Sequence, residues 1–306
     1  MMQRSGAPFL LALAALVGCG SASSETGATA VSSSQPVSPV ASASSSAAPS
    51  APAGTFSGLT GEQTQGGWLR GIAPQGAVRV TLNGQPLTLA PDGTFFGAFD
   101  RDAQGSAQLV AQLPGGRTVS QALTISPRRW QIERVNVARR PGGASEAFME
   151  RRRPELARIN AARSVDHDIG GWRQKFIWPV KGRISGRFGS QRIYQGEPAS
   201  YHSGIDVATG ESGTPFVAPA DGVVVLAAQT PFSLEGHLLM IDHGGGLNSA
   251  FLHCSKLAVR EGDVVRQGQY IGNIGATGRA TGPHLHWGIK WRDARLDPLL
   301  FTGPMN

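Results

Sequence analysis

The chain has 306 residues, which is more than one small hydrophobic core needs and enough for two domains. Its net charge is +7, and only four of its 28 basic residues are lysine. This balance favours an anionic partner such as nucleic acid, lipid headgroups or an acidic wall polymer, although a solvated arginine surface explains it equally well. Nucleic acid is excluded as an expected partner, because the sequence has no aromatic-interleaved basic stretch and no nucleic-acid-binding fingerprint.

Residues 1–19 have the pattern of an export signal. Arg4 precedes an apolar run at 9–17 that is too short to span a bilayer comfortably. The run ends in a Leu-Val-Gly-Cys sequence at Cys19, which resembles the lipobox of bacterial lipoproteins and predicts lipidation of that cysteine. The alternative is an ordinary signal peptide with an incidental cysteine. Gly20, in place of aspartate, favours the outer membrane. Cys254 is then the remaining cysteine, so no internal disulfide is expected.

The next two segments differ sharply in composition. Residues 20–53 are almost entirely Ser, Ala, Pro, Thr, Val and Gly, which predicts a disordered tether. Residues 54–127 alternate apolar and polar side chains in short runs separated by turn residues, including Asn83 and Gly84. This spacing predicts a small β-sandwich-like domain. We interpret it as a spacer or accessory module, with binding to the cell wall as the alternative.

Residues 128–175 form a basic connector. Helix-forming and apolar residues at 145–163 predict one or two short helices interrupted by Pro154. Asp166, His167 and Asp168 resemble a metal-binding run, but three adjacent side chains do not face one ion on a regular element. An alternative hypothesis is that this run acts as an inhibitory ligand at a catalytic site formed by residues further along the chain.

Residues 176–306 are rich in glycine and β-branched residues and predict a mostly antiparallel β domain. Strand, turn and strand are expected at 216–226, a hairpin at 238–253, and two short strands at 263–274. His202 and Asp206 are separated by an even number of positions, as are His284 and His286, so each pair would share a face of a strand. Histidine and aspartate are zinc ligands, and a catalytic zinc site takes about three protein ligands and leaves one position open.

The C-terminal residues resemble those of the LytM/lysostaphin-type zinc metallopeptidases of family M23, which cut peptides in bacterial peptidoglycan. The resemblance covers about 40% of the chain. The matching pieces follow the order of the family: 187–189 (Arg-Phe-Gly), His202 with Asp206, 218–222 (Ala-Pro-Ala-Asp-Gly), 241–244 (Ile-Asp-His-Gly), 251–253 (Phe-Leu-His), Gly262 with Asp263, Gly268, and His284 with His286.

The resemblance implies that His202, Asp206 and His286 bind Zn²⁺, and that His253 and His284 lie beside the open coordination position. We assign His284 to deprotonation of the attacking water. His253 is expected to stabilise the tetrahedral intermediate or to share in proton transfer. The sequence leaves the division of roles between the two open.

Two further residues near these motifs have an interpretation. Tyr194 is favoured over Tyr201 as a hydroxyl donor to the transition state. Cys254 follows His253 and is interpreted as a small buried apolar residue on the opposite face of the strand.

The functional expectation is a zinc-dependent endopeptidase that hydrolyses stem peptides or cross-links of peptidoglycan. It would act in the periplasm, attached to a membrane through a lipid at Cys19. The alternative is a non-catalytic LytM-domain regulator that activates cell-wall amidases. Some proteins with this domain have lost zinc ligands, whereas this sequence keeps all five candidate side chains.

Overall fold

The computed structural model describes residues 54–138 and 145–305. The predicted signal (1–19), the predicted tether (20–53) and Cys19 lie outside the described residues. All described residues belong to the compact unit Pro49–Asn306. Among the helices of these residues, none has the length and apolar character that crossing a membrane requires.

Residues 54–127 form a module of two packed sheets. A three-stranded sheet has the order β1-β2-β5 and a four-stranded sheet the order β4-β3-β6-β7. The strands of this module are β1 (Ser57–Glu62), β2 (Trp68–Ile72), β3 (Arg79–Leu82), β4 (Gln85–Leu87), β5 (Thr94–Ala98), β6 (Ser106–Gln112) and β7 (Thr118–Thr124). A 3₁₀ turn at Pro114–Gly116 joins β6 to β7.

Alternation of side chains in this module places one face of each sheet in a common core. Leu69, Val80, Phe95 and Leu109 are fully buried there. Asn83 and Gly84 both have positive φ, 49° and 80°, as a two-residue hairpin turn of the mirror-image type requires. The expected sandwich-like module is therefore confirmed.

The connector contains β8 (Ile132–Val135), one long helix, α1 (Glu146–Arg163), and a 3₁₀ turn at Gly171–Arg173. The expected interruption at Pro154 is wrong, because α1 runs through this proline as 18 continuous residues. Proline removes one backbone hydrogen bond from a helix. Two other features compensate: Ser145 caps the helix by accepting from the amide of Phe148, and Ile159 and Ala162 are buried against the C-terminal domain.

The C-terminal domain is built around an eight-stranded sheet with the order β18-β14-β15-β16-β20-β12-β9, in which β21 also pairs with β20. The elements of the domain are β9 (Arg183–Gly186), β10 (Gln191–Tyr194), β11 (Glu197–Pro198), β12 (Ile205–Ala208), β13 (Pro215–Val217), β14 (Gly222–Ala227), β15 (His237–Asp242), β16 (Leu247–Cys254), β17 (Lys256–Leu257), β18 (Val264–Val265), β19 (Tyr270–Asn273), β20 (Leu285–Trp291), β21 (Ala294–Leu296) and α2 (Leu299–Thr302). The pairings within the large sheet are antiparallel, as the sequence predicts.

The predicted strands at 216–226 form, but they belong to different sheets. Strand β13 pairs with β19 in a small sheet of order β13-β19-β17, whereas β14 pairs with β15 and β18 in the large one. The predicted hairpin at 238–253 is formed by β15 and β16. Strand β8 of the connector pairs in parallel with β10, in a three-stranded sheet completed by β11.

The N-terminal module shares an aromatic core with the C-terminal domain. The ring of Trp68 lies 5.5 Å from that of Phe301, and the ring of Phe96 lies 6.3 Å from that of Trp291. The indole of Trp68 donates a hydrogen bond to the carbonyl of Leu300 at 3.0 Å. The module is thus packed against the domain that carries the histidine motifs, while the boundaries at 127/128 and 175/176 stay predictions.

Candidate functional site

Three predicted site residues converge on strands β12 and β20 of the large sheet and on the loop before β12. The side chains of His202, Asp206 and His286 offer ligand atoms that all lie within 4.8 Å of one another. Asp206 on β12 lies directly opposite His286 on β20, because the two strands pair in antiparallel register. His202 precedes β12 and is not on a strand. The expectation that His202 and Asp206 share a face of one strand is therefore wrong, although the two side chains do meet.

The backbone of His202 is fixed by the loop that follows β9. Its amide donates to the carbonyl of Ser190, and its carbonyl accepts from the amide of Gly189, both at 2.8 Å. Its imidazole Nδ1 lies 3.1 Å from the carbonyl of Arg187. Because a carbonyl only accepts, this contact places a proton on Nδ1 and turns Nε2 towards the cluster.

Within the cluster the three ligand atoms are at contact distance. Asp206 Oδ1 lies 3.0 Å from His202 Nε2 and 2.8 Å from His286 Nδ1, and the two nitrogens are 3.1 Å apart. Burial would lower the pKa of His202, but the hydrogen bond and charge of Asp206 raise it. Burial would raise the pKa of Asp206, but the contacts from both histidines hold it far below its ordinary value. The Asp206 carboxylate is therefore ionised and faces two imidazole nitrogens, an arrangement in which a cation would be stabilised.

Two glycines leave room for these side chains. A Cβ at position 204 would lie 2.7 Å from His286 Nε2 and 2.5 Å from the carbonyl of Trp287. A Cβ at position 186 would lie within contact distance of the Asp206 carboxylate, far closer than real Cβ atoms approach. Any larger residue at either position would displace a member of the cluster.

His253 and His284 form a second pair beside the cluster. Their rings are 4.9 Å apart, and His284 Nε2 lies 3.8 Å from Asp206 Oδ1. The Nδ1 of His253 contacts the carbonyl of Thr277 and that of His284 contacts the carbonyl of Gly282, each at 2.8 Å. Both Nδ1 atoms therefore carry protons, which leaves both Nε2 lone pairs available.

The position of His253 requires an unusual backbone. This residue has φ of 65° near the end of β16, in the left-handed region that non-glycine residues seldom adopt. Residues held in this region are often found at functional sites. Burial and the neighbouring histidines His284 and His286 lower the pKa of His253, so that its imidazole is neutral at neutral pH.

The structure adds a residue that the sequence did not reveal, Arg101. It follows β5 in the N-terminal module and is buried, with 6% of its surface exposed. Its Nη2 donates to the carbonyl of Gly189 and to Gln191 Oε1, both at 3.0 Å. Gly189 in turn contacts the backbone of His202. Nothing in the local sequence signals this role, because Arg101 lies 88 positions from Gly189.

The remaining predicted residues lie elsewhere. Tyr194 is on β10, in a sheet separate from the cluster, and its role as a hydroxyl donor stays a prediction. The guanidinium carbon of Arg101 lies over the ring of Tyr201, 4.6 Å from the centre of that ring. Cys254 is buried on β16, and burial raises the pKa of its thiol to about 12.

The metal-like run at 166–168 contacts the turn between β15 and β16. Its His167 Nδ1 lies 2.8 Å from Asp242 Oδ2, and Asp166 accepts from the amide of Gly246. The structure therefore places this run away from the cluster, and its proposed role as an inhibitory ligand is not supported.

Comparison with known protein families identifies the class of this C-terminal domain. Residues 200–298 match the family described as Peptidase family M23. The C-terminal part of the chain is accordingly an M23 peptidase domain, as the motif order predicts.

Similar proteins carry the same domain. The chain is 36% identical over 133 residues to the peptidoglycan DD-endopeptidase ShyA of Vibrio cholerae, over 43% of this chain and 30% of that protein. It is 36% identical over 133 residues to a lipoprotein NlpD/LppB homolog of Pseudomonas aeruginosa, over 44% of this chain and 40% of that protein. The matches span less than a third of the first curated relatives.

The similarity of fold extends beyond the M23 domain. A crystal structure described as a peptidase M23 from Pseudomonas aeruginosa has a TM-score of 0.60 and 27% sequence identity. The match covers 80% of this chain and 96% of that one, which is more than residues 200–298 alone.

Proposed function

We propose that this protein is a zinc-dependent endopeptidase that hydrolyses peptide bonds in the stem peptides or cross-links of bacterial peptidoglycan. The observation that carries this proposal is the convergence of His202, Asp206 and His286 beside a second histidine pair. The names of relatives such as ShyA support peptidoglycan as the substrate class.

The donor set suits zinc. Two imidazole nitrogens and one carboxylate oxygen are zinc ligands, and three protein ligands leave a position for water in a catalytic site. Ligands at usual zinc distances lie roughly 3.3–3.5 Å apart in a tetrahedron. The three atoms are now 2.8–3.1 Å apart, so shifts of a few tenths of an ångström would suffice. A bound cation would compete with protons for the same lone pairs.

The positions of the free Nε2 atoms of His253 and His284 support the proposed catalytic roles. A bound zinc ion would supply an activated water and polarise the scissile carbonyl. His284, whose Nε2 lies 3.8 Å from Asp206 Oδ1, would take the proton of the attacking water. His253 would stabilise the developing oxyanion or deliver a proton to the leaving amine. Because His253 Nδ1 donates to Thr277 and its pKa is lowered, its Nε2 begins as a free lone pair, so His253 would play either role only after taking up a proton released in the reaction.

The location of the protein is part of the proposal. Peptidoglycan lies outside the cytoplasmic membrane, and one relative is named a lipoprotein. We therefore assign the protein to the periplasm, attached by a lipid at Cys19 and more favourably to the outer membrane. Incorporation of labelled palmitate into the wild type but not into a Cys19→Ala variant would test the anchor.

The regulator alternative requires no metal chemistry. A LytM-domain activator of amidases needs none of the five side chains in a reactive arrangement, whereas here all five are assembled at one site. The two functions are separated by assaying the purified chain against cross-linked peptidoglycan, with mass spectrometry of the released peptides. Cleavage by the wild type that is lost in His202→Ala and His284→Ala supports the enzyme. Activation of an amidase that persists in both variants supports the regulator.

A further inference from the structure

A cavity of about 230 Å³ adjoins His286 on the same face of the sheet. Its floor is formed by alternate residues of β20, where His286, Gly288 and Lys290 point to one side. Helix α1 forms one wall through Ile159 and Arg163. The connector thus contributes directly to the surface beside the candidate metal cluster.

The lining of this cavity is strongly cationic. Arg163, Lys290 and Arg295 all contribute to it, while Glu235 is its one acidic residue within the described chain. Glu235 is held by Arg152, which binds its two carboxylate oxygens through Nη1 and Nη2, both at 2.6 Å. The charge of Glu235 also acts on Arg163, but one carboxylate that already shares Arg152 does not balance the three cations.

Among the described residues, the one salt bridge made by these three cations is exposed to solvent. Lys290 Nζ is 3.7 Å from Asp293, whose carboxylate is fully exposed and hence screened by solvent. Burial lowers the pKa of Lys290, and repulsion by Arg163 and Arg295 adds to this effect. Asn248, opposite Lys290 in the β16–β20 pairing, adds an uncharged polar side chain to the lining. An anionic group would relieve the repulsion and accept hydrogen bonds from several donors.

We propose that this cavity is a substrate subsite that binds a free carboxylate of the peptide near the bond to be cut. This inference rests on the proposed function and names a chemical feature of its substrate. His286 and Lys290 are four residues apart on one strand, or about 13 Å. An extended peptide advances roughly 3.3–3.6 Å per residue, so the carboxylate would lie three to four residues from the scissile bond, or nearer on a long side chain.

The proposal assigns α1 a role in substrate recognition. Because Arg163 lies in the last turn of the helix, removal of α1 would remove one cation of the subsite. The helix is therefore a wall of the substrate groove, and deleting it would weaken binding of an acidic peptide.

Binding is measured first, so that the test does not depend on turnover. Calorimetry uses the full chain with His284→Ala and a synthetic cross-linked stem-peptide dimer with free carboxylates. Two further dimers are amidated, one at the C-terminal carboxylate and one at the side-chain carboxylates, which identifies the source of the bound group. We expect one of the two amidated dimers to bind about tenfold or more weakly than the free-acid dimer, because it has lost a charge-assisted hydrogen bond.

Variants then locate the contact. Lys290→Gln and Arg163→Gln should each weaken binding of the free-acid dimer about tenfold. Neither variant should change binding of the amidated dimer that has lost the recognised carboxylate. Lys290→Arg keeps the charge and should retain most of the affinity. Lys256→Gln is the matched control, because Lys256 lies on β17 in another sheet. Circular dichroism verifies that each variant is folded.

Three results would overturn the subsite: no binding of any dimer, equal binding of all three dimers, or equal weakening of all three by Lys290→Gln. Failure of the proposed function appears differently. In that case the wild type binds the free-acid dimer selectively but releases no cleaved peptide, and the subsite stands without the endopeptidase.

Discussion

Replacing Arg101 with methionine should weaken metal binding although Arg101 touches none of the proposed ligands. Its guanidinium holds the carbonyl of Gly189 and the side chain of Gln191, and the Gly189 amide holds the carbonyl of His202. Methionine keeps the aliphatic volume but removes these two hydrogen bonds and a third, from Nη1 to the exposed carboxylate of Asp102. His202 would then lose part of the support that orients its imidazole towards Asp206.

The expected magnitude follows from the contacts. Each hydrogen bond from a charged donor contributes about 1.5–3 kcal/mol, and stacking on Tyr201 and Trp130 adds about 0.5–1 kcal/mol each. The Nε of Arg101 is buried without a partner, which offsets part of this sum. We expect about 3 kcal/mol of lost unfolding free energy. Loss of a supporting contact weakens metal affinity roughly 10–100-fold.

The assay separates positioning from general stability. The zinc dissociation constant is measured by competition with a chromophoric chelator at a temperature where circular dichroism shows the variant fully folded. Arg79→Met, on the exposed surface of β3 in the same module, is the control and should change neither quantity. An Arg101→Met protein that is destabilised but binds zinc as tightly as the wild type would refute the positioning role.

Three further predictions concern stability and reactivity. Arg152→Met leaves two largely buried carboxylates without their partner and should lower the free energy of unfolding in urea by about 3 kcal/mol. The control Arg153→Met breaks an exposed ion pair and should lower it by under about 1 kcal/mol. Equal losses in the two variants would contradict this. Burial lowers the pKa of His243 to about 4, against about 6.5 when unfolded. The neutral His243 therefore contributes its full stabilisation above pH 6.5, and this contribution falls by about 2 kcal/mol at pH 5. The unfolding free energy of His243→Leu should vary less with pH than that of the wild type. Identical pH dependence of the two proteins would refute this. Cys254 is buried, and its thiol pKa is raised to about 12. It should therefore resist alkylation by iodoacetamide until urea unfolds the chain. Rapid labelling of the Cys254 peptide in native buffer would contradict the buried position.

Local sequence patterns predicted the parts of the fold that local physics determines. Asn83 and Gly84 favour positive φ, so the β3–β4 hairpin forms where it was expected. Strands β15 and β16 follow from apolar runs joined through three glycines that all have positive φ. The resemblance to the M23 motifs predicted which side chains form the cluster. Asp206 and His286 meet because they lie opposite each other on adjacent antiparallel strands.

Contacts between distant parts of the chain were not predictable in this way. Arg101 and Gly189 are 88 positions apart, and Arg152 and Glu235 are 83 apart. No periodicity encodes such pairs, because each depends on how whole sheets pack. The same limit explains α1, whose continuity through Pro154 depends on burial of Ile159 and on the ion pair of Arg152. His202 was placed on a strand by its even spacing, but its position is set by the loop at Gly189 and Ser190.

We propose that His202, Asp206 and His286 bind a zinc ion that the chain uses to cut peptidoglycan peptides. The most direct test measures zinc per chain and peptide release from cross-linked peptidoglycan on one preparation, before and after chelation and zinc replacement. We predict about one zinc per chain, cleavage that is lost on chelation and restored by zinc, and neither bound zinc nor cleavage in His202→Ala. Cleavage that survives both chelation and this substitution, or a wild-type chain that binds no zinc, would contradict it.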